Sequence, residues 1–502
     1  MNIASFLRLS AQCHPQRPAL TWRGTTLDYR EFDRQTAAFA EWLHEIGAAP
    51  HQRIVLYLDN RPELMVAMFG AFRAGATVVP VNSRLTVDEL SFLVEDCEAR
   101  VLITDAAHVE VARASAAPYT VVKVAGEDLD EVLARPVVNF EPTDVAPDST
   151  AWIFYTSGTT GRPKGAELSH AVLNFVTVSW LADLTPMDET DVTLHAAPLS
   201  HGAGFHAIAA TARAAHQIIP DALSFDPKAI LQLINDVGVT NTWLVPTQIV
   251  MLTEAAPADV SLPTLQYVVY GGAPITPAAM QRALDTFGPV FVQLYGQGET
   301  PMTATVMRRQ DHTPDMLGSA GRPRPGIEVR IVDSEGNTCA PDVPGELVVA
   351  GASVMTGYWK RPEATVETIK DGWLYTGDLG RMSADGVVWL LDRAKDMIIS
   401  GGSNVYAVEV EHVLTQHPSV KEVAVIGIPD DLWGELVVAV VVPQDGASAG
   451  ADASGLTAFA RETLAGYKIP RRYITTDALP RNAYGKVLKR ELRRAVADGE
   501  LT

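Results

Sequence analysis

Residues 155–165 read Tyr-Thr-Ser-Gly-Thr-Thr-Gly-Arg-Pro-Lys-Gly, "YTSGTTGRPKG", and follow the apolar run "STAWIF" (149–154). The apolar run reads as a buried strand, so the polar stretch leaves a strand end. In open α/β sheets, ligands bind outside the carboxyl ends of strands. The glycines permit positive φ and a close approach of backbone to ligand. Successive N–H groups can then form a concave anion site, with Ser and Thr hydroxyls as further donors and Lys164 as a cation. The register is not that of the common phosphate loop, which needs glycine, four residues and then Gly-Lys-Ser/Thr; here Gly158 is followed five residues later by Pro163. On residues alone, an anion cradle and a flexible turn stand level.

Outward from this stretch the chain alternates. Phe32, Phe39, Trp42, Leu43 and Ile46 recur at helical spacing over 30–46, and Gly47 stops them. "RIVLYL" (53–58) reads as a strand, 62–75 as a helix with proline near its start and glycine at its end, then 76–81, 86–99 and 100–105 as strand, helix and strand. Residues 265–272, 276–288 and 290–296 repeat the pattern. Strand–helix alternation predicts doubly wound parallel sheets covered by helices. From about 320 to 392, short β-rich runs between Pro/Gly turns predict a small antiparallel β unit, taken as a barrel. Beyond 395 a small α+β unit follows, with helices at 406–416, 456–465 and 486–497 and strands in "VKEVAVIGI" and "LVVAVVV". "DGASAGADASG" (445–455) reads as a surface loop inside it.

The chain of 502 residues is too long for one core, and its 47% hydrophobic and 20% charged residues fit an ordinary globular protein. A net charge of −20, from 40 basic and 60 acidic residues, argues against non-specific grip on nucleic acid or an anionic membrane. Cys13, Cys97 and Cys339 fit neither a disulfide framework nor a zinc site, and imply free thiols in the cytoplasm. No apolar run long enough for a signal peptide or a spanning helix is seen, so no integral membrane contact is expected.

"YTSGTTGRPKG" resembles the phosphate-loop signature of the adenylate-forming superfamily: acyl-CoA synthetases, peptide-synthetase adenylation domains and luciferases. "FRAGATVVPVN" (72–82), "APLSHGAG" (197–204), "YGGAPI" (270–275), "YGQGET" (295–300), "GYWKRPEAT" (357–365), "WLYTGDLG" (373–380), "DRAKDMIISGGSNVYAVEVE" (392–411) and "LPRNAYGKVLKREL" (479–492) follow in the family's order, so the resemblance spans nearly the whole chain. It implies an acyl-CoA synthetase, which joins a carboxylic acid to AMP from ATP and then to coenzyme A. An N-terminal domain, 1–394, would bind ATP and acid, and a mobile lid, 395–502, would carry the catalytic lysine.

The resemblance assigns roles residue by residue. Lys486 is expected to bridge the carboxylate and the α-phosphate. Glu299, with Thr156, is expected to hold Mg2+, a hard cation that takes carboxylate oxygens. Thr156, Ser157, Gly158, Thr159, Thr160, Gly161 and Lys164 are expected to bind the ATP phosphates. Tyr295, Gly296 and Gln297, with Gly272, Ala273 and Pro274, are expected around adenine, and Asp378 with Arg393 at the ribose. Lys395 occupies the hinge position, and Gly401 and Gly402 would let the pantetheine arm pass. His201, Phe205, Trp243, Tyr270, Gly271, Gly296 and Met302 are expected to wall the acid pocket; as a residue alone, His201 reads equally as an ordinary buried histidine. A homodimer is the default assembly.

Two positions depart from the pattern. Gly298 stands where the family usually has threonine, and Tyr484 where a small or hydroxyl residue is common. They leave the identity of the acid open, together with readings in which the acceptor is an amine or a carrier protein, or the acid is nitrite. No carrier-protein domain is expected after Thr502. A non-catalytic nucleotide binder is disfavoured because Lys486, Glu299, Asp378 and Arg393 are all present. Residues 202–207 mimic a loose dinucleotide fingerprint without its strand–helix context, and His201 and His206 are wrongly spaced to share a metal on a helix face.

Overall fold

The structure is a computed structural model, and it describes residues 1–137, 140–156, 163–222, 224–393, 396–400, 403–430, 434–444, 453–464, 466–481 and 487–501. The chain forms two compact units. One comprises residues 1–275, 279–329 and 349–374; the other 276–278, 330–348 and 375–502.

The first unit holds two large sheets. In the seven-stranded sheet the order is Gly357–Tyr358, Lys164–Ser169, Thr150–Thr156, Thr77–Pro80, Arg53–Tyr57, Ala99–Asp105 and Val121–Ala125. The last five are mutually parallel, and the first two close one edge antiparallel. The nine-stranded sheet likewise has a parallel centre, built from Pro18–Trp22, His216–Ile218, Val192–Leu194, Asn241–Leu244, Tyr267–Tyr270 and Phe291–Gln297. "RIVLY" and "TVVP" are buried at every position, as strands covered on both faces must be.

Helix limits follow local chemistry. Tyr29–Glu45 starts at Asp28, whose side chain accepts from the Glu31 amide, and the chain turns away at Gly47 with φ of 66°. Val87–Asp96 starts with a capping box between Thr86 and Glu89. It ends short of the expected residue 99, because Ala99 already begins a strand.

The expected barrel unit takes the form of a five-stranded sheet containing Ile327–Val332, Gly345–Gly351, Ile369–Lys370, Trp373–Met382 and Val388–Arg393. Trp373–Met382 pairs antiparallel with Ile369–Lys370 and with Val388–Arg393.

Within the second unit, residues 396–501 build a small α+β sheet. Val420–Asp430 lies antiparallel to Gly434–Pro443, which also pairs parallel with Arg472–Thr475. The period of two sorts the strand: Val437, Ala439 and Val441 face the Ala407–Leu414 and Ala453–Arg461 helices, while Val438, Val440 and Val442 pack with Leu492 and Val496 of the Lys489–Ala497 helix. Residues 445–452 of the expected loop lie outside the described residues. No helix among the described residues is long and apolar enough to cross a membrane.

Candidate active site

The polar stretch begins in one strand and ends in the next, and the two strands pair with each other. Thr150–Thr156 pairs antiparallel with Lys164–Ser169, and Thr156 stands opposite Lys164. A strand therefore follows the loop, not the helix that follows a common phosphate loop, which explains the different residue spacing. Ser157, Gly158, Thr159, Thr160 and Gly161 lie outside the described residues.

The base of the hairpin is tied down from behind. The Tyr155 hydroxyl donates to Asp96 Oδ2 at 2.7 Å, and Arg361 Nη2 donates to Asp96 Oδ1 at 2.5 Å. Trp359 Nε1 donates to the Asp96 carbonyl at 2.9 Å. A methyl group at Gly165 would stand 2.5 Å from Ile153 Cγ2, so the two strands meet without slack. Trp359 and Arg361 of "GYWKRPEAT" thus fix the acid that holds Tyr155, the first residue of the polar stretch.

Tyr358, from the same motif, acts on the other side. Glu299 sits at the turn between Phe291–Gln297 and Thr300–Met307 and is 8% exposed. Its Oε1 accepts from Thr156 Oγ1 at 3.0 Å and from the Tyr358 hydroxyl at 2.8 Å. Burial and the Glu299 charge hold the Tyr358 phenol far above its ordinary range, so it stays a donor. Lys164 Nζ lies 5.1 Å from the centroid of the Tyr358 ring. Among the described residues both hydrogen bonds fall on Oε1, which leaves the second carboxylate oxygen for a cation. This oxygen-only donor set beside a phosphate loop fits Mg2+, which usually takes one or two carboxylates and substrate phosphates.

Gly298 is where the structure speaks most directly. A Cβ there would lie 2.5 Å from Thr156 Cγ2 and 2.6 Å from Phe154 Cδ1. The space of the usual threonine is filled by these two side chains. Nor does Thr300 supply a replacement hydroxyl, since it is fully buried and shares a 2.7 Å hydrogen bond with Ser353.

The expected acid-pocket residues divide. Phe205 stacks on Trp152 with centroids 4.8 Å apart, and on Phe154 at 6.0 Å. His201 packs edge-on against Phe154 at 5.1 Å. His201 keeps some accessible surface, yet desolvation pushes its pKa down to about 4, so the ring is neutral near pH 7. Trp243 and Met302 meet at Gly202, where a Cβ would lie 2.6 Å from Trp243 Cζ2 and 3.0 Å from Met302 Cε. Met302 has a positive φ of 58°, unusual for a side-chain-bearing residue. Gly296 lies beside it: a Cβ there would be 2.7 Å from the Met302 amide. Gly271 passes the backbone of Leu294, whose carbonyl would be 2.6 Å from a Cβ. Tyr270 is not brought to this wall. It packs with Leu244 and Phe291, and its hydroxyl meets His312 Nε2 at 3.1 Å. The cause is strand alternation: Trp243 is in register with Val269, so the neighbouring Tyr270 faces the opposite side.

Of the residues expected around the nucleotide, Gly272 has φ of 81° and is exposed with Ala273 and Pro274 just beyond the Tyr267–Tyr270 strand. Tyr295 is buried, and Gln297 lies at an irregularity opposite Thr300 and Pro301. In the second unit, Asp378 is 7% exposed and stands across the ladder from Arg393. Its amide donates to Thr376 Oγ1 at 3.1 Å, and the preceding Gly377 amide donates to Glu346 Oε1 at 2.9 Å. The side chain of Arg393, and Lys395, Gly401, Gly402, Tyr484 and Lys486, lie outside the described residues.

Sequence reasoning missed Phe154, Tyr358 and Asp96. Tyr358 lay inside a motif already singled out; Phe154 and Asp96 carried no signal beyond ordinary strand and helix residues. His206 is a core residue: it stacks on Trp180 and meets Asn241 Oδ1 at 2.9 Å, and burial lowers its pKa to about 3. Asp59, Asp105 and His108 cluster elsewhere, but His108 Nδ1 bonds Asp105 at 2.7 Å and Ser83 donates to Asp59, so the group satisfies itself.

Residues 7–359 match the AMP-binding enzyme family, and residues 409–486 match the AMP-binding enzyme C-terminal domain. A feruloyl-CoA synthase from Amycolatopsis sp is 40% identical over 96% of this chain and 97% of its own. Among solved structures, ATP-bound MatB from Rhodopseudomonas palustris superposes with a TM-score of 0.91 at 30% identity, covering 99% of each chain. An o-succinylbenzoate CoA synthetase from Bacillus subtilis, in complex with its acyl-adenylate intermediate, superposes with a TM-score of 0.86 at 31% identity, covering 97% of each chain. With both family regions matched in order and a relative similar along almost all of its length, the chain belongs to the AMP-binding, adenylate-forming enzymes.

Proposed function

We propose that this protein is an AMP-forming acyl-CoA synthetase acting on aryl or aryl-like carboxylic acids. In the first half-reaction a carboxylate oxygen bonds to the α-phosphorus of ATP, the bond to the bridging oxygen breaks, and pyrophosphate leaves. In the second, the sulfur of coenzyme A bonds to the acyl carbon, the bond to AMP oxygen breaks, and the thiol proton passes to water. The single observation that carries this reading is Glu299 buried between Thr156 and Tyr358 at the mouth of the phosphate-loop hairpin.

The chain's own groups supply positioning and charge, which is most of what phosphoryl-centre chemistry needs. Glu299 and Thr156 would hold Mg2+, which neutralises phosphate charge when bound. Lys164 and the loop 157–161 would hold the phosphates, Asp378 and Arg393 the ribose, and Tyr295 with Gly272–Pro274 the adenine. Lys486 would bridge carboxylate and α-phosphate. Rotation about Lys395, with a boundary near residue 394, would exchange Lys486 for the Gly401–Gly402 passage before thioester formation. The neutral His201 and the aromatic rings beside it suit an uncharged planar acid body; the similarity to a feruloyl-CoA synthase supports the same class. Cys13, Cys97 and Cys339 are free thiols, which supports a cytoplasmic location, and a homodimer is the assembly proposed.

Pyrophosphate release should be measured with ATP, Mg2+ and a panel of aryl, cinnamyl, fatty and dicarboxylic acids and nitrite, with and without coenzyme A, beside Lys486→Ala. Release with aryl acids that coenzyme A stimulates and the variant lacks supports the proposal. Release indifferent to coenzyme A moves the acceptor to an amine or a carrier protein, and release with nitrite alone rejects the carboxylic acid.

A further inference from the structure

Gly298 and Phe154 form one sterically coupled pair. Trp152, Phe154 and Thr156 occupy alternate positions of a single strand and share a face, while Ile153 and Tyr155 turn to the other side, against the Val55–Val79–Leu102 core. That shared face runs from the aromatic stack to the Glu299 site in two steps of the strand. Trp152, Phe154 and Phe205 lie with their planes within 23–28° of one another. Trp152 and Phe205 are at most 1% exposed, whereas Phe154 is 8% exposed and also touches His201. Phe154 is thus the member of the stack nearest to open space and to the reacting end of the site.

Its ring stands where a side chain at 298 would stand. Gly298 does not have the left-handed φ that demands glycine, so the requirement at this position is for space. A Cβ would meet Phe154 Cδ1 at 2.6 Å and Cε1 at 3.1 Å, besides Thr156 Cγ2 at 2.5 Å. Phe154 cannot retreat, because Trp152, Phe205 and His201 pack around it.

We propose that Phe154, in the space left free by Gly298, is a specificity-determining residue that sets the carboxylate end of the acid pocket as a flat aromatic wall and thereby selects planar, conjugated acids over flexible alkyl acids. The proposal rests on the acid-activating reading above and deepens it. A conjugated acid keeps its carboxylate coplanar with its chain and can lie against the ring up to the reacting oxygen. An alkyl acid must freeze several rotors to do the same.

The test is a cycle of Gly298→Ala, Phe154→Val and the double variant, with Thr156→Ser/Gly298→Ala as a fourth protein. The readouts are kcat/KM for a cinnamic-type acid and for an alkyl acid of equal length, with the melting temperature beside them. Phe154→Val is expected to shift the aryl-to-alkyl ratio of kcat/KM toward the alkyl acid by about tenfold, the scale on which pocket shape discriminates apolar groups. Gly298→Ala is expected to lose about tenfold or more with the aryl acid, and the double variant is expected to regain activity and melting temperature relative to it. An unchanged ratio in Phe154→Val overturns the proposal, as does strict additivity in the double variant. Rescue by Thr156→Ser in place of Phe154→Val also overturns it, by assigning the crowding to the threonine alone. A native enzyme that activates no acid rejects the acid-activating reading itself; a native enzyme that is active with an unchanged ratio rejects only the role of Phe154.

Discussion

At the scale of single residues, Glu299, the proposed Mg2+ carboxylate, is oriented by hydrogen bonds from Thr156 and Tyr358. Tyr358 holds one oxygen, and a hydrogen bond to a charged group contributes about 1.5–3 kcal/mol. Tyr358→Phe should therefore lower the rate of adenylation by about 10- to 100-fold while the protein still folds; pyrophosphate-release kinetics with a melting curve would check both parts. Glu299→Gln should lower it further and raise the Mg2+ concentration needed for half-maximal rate. A Tyr358→Phe enzyme with native kinetics would remove the phenol from the account. Glu299 could be found by motif, since a carboxylate that follows a strand inside "YGQGET" is legible. The meaning of Gly298 could not, because a missing side chain shows its reason only through the groups that fill the space, here Phe154 and Thr156.

Histidines set the pH response at the same scale. His170, His195 and His201 are pushed down to about 4, and His206 to about 3, all chiefly by burial. A base with a depressed folded pKa stays neutral in the native state while the unfolded chain takes up the proton below about pH 6.5. The unfolded state then binds more protons, so stability falls as pH drops from about 6.5 toward 4, by up to about 1.4 kcal/mol per pH unit for each such group. The melting temperature should be nearly flat from pH 7 to 8 and decline below 6.5. A melting temperature that rises on acidification through this window would contradict the burial of these rings.

At the scale of elements, the paired strands Thr150–Thr156 and Lys164–Ser169 flank the proposed phosphate loop, and Asp96 anchors the first of them. The acid joins the end of one helix to Tyr155, Trp359 and Arg361, so loosening it should displace the loop without removing any group that meets substrate. Asp96→Ala is expected to raise KM for ATP more than it lowers kcat, and Asp96→Glu to recover part of the loss. Equal loss in both parameters, with no recovery, would reduce Asp96 to a fold-stabilising residue. Strands and helices of this kind were legible because buried parallel strands are continuously apolar and helices carry caps and glycine stops. The pairing of the loop into a hairpin was not legible, because "KGAELS" carries no mark of which neighbour it will meet. Tyr270 shows the same gap: the motif places it near the site, but only the register with Trp243 decides which face its ring takes.

At the scale of the whole molecule, the two large sheets of the first unit carry the Thr150–Ser169 strand pair and Glu299, and the second unit carries Asp378. The motif order implied a boundary near residue 394, whereas residues 375–393 pack within the second unit. What the motifs could not supply is the packing of Trp152, Phe154, His201 and Phe205 beside Gly298, on which the proposed choice of acid rests. In the proposed function these parts make an acyl-CoA by way of AMP. The most direct measurement is mass spectrometry of the products formed from ATP, Mg2+, a cinnamic-type acid and coenzyme A. The expected products are AMP, pyrophosphate and the aryl thioester of coenzyme A in equal amounts. ADP and phosphate, or AMP without any thioester, would contradict that function.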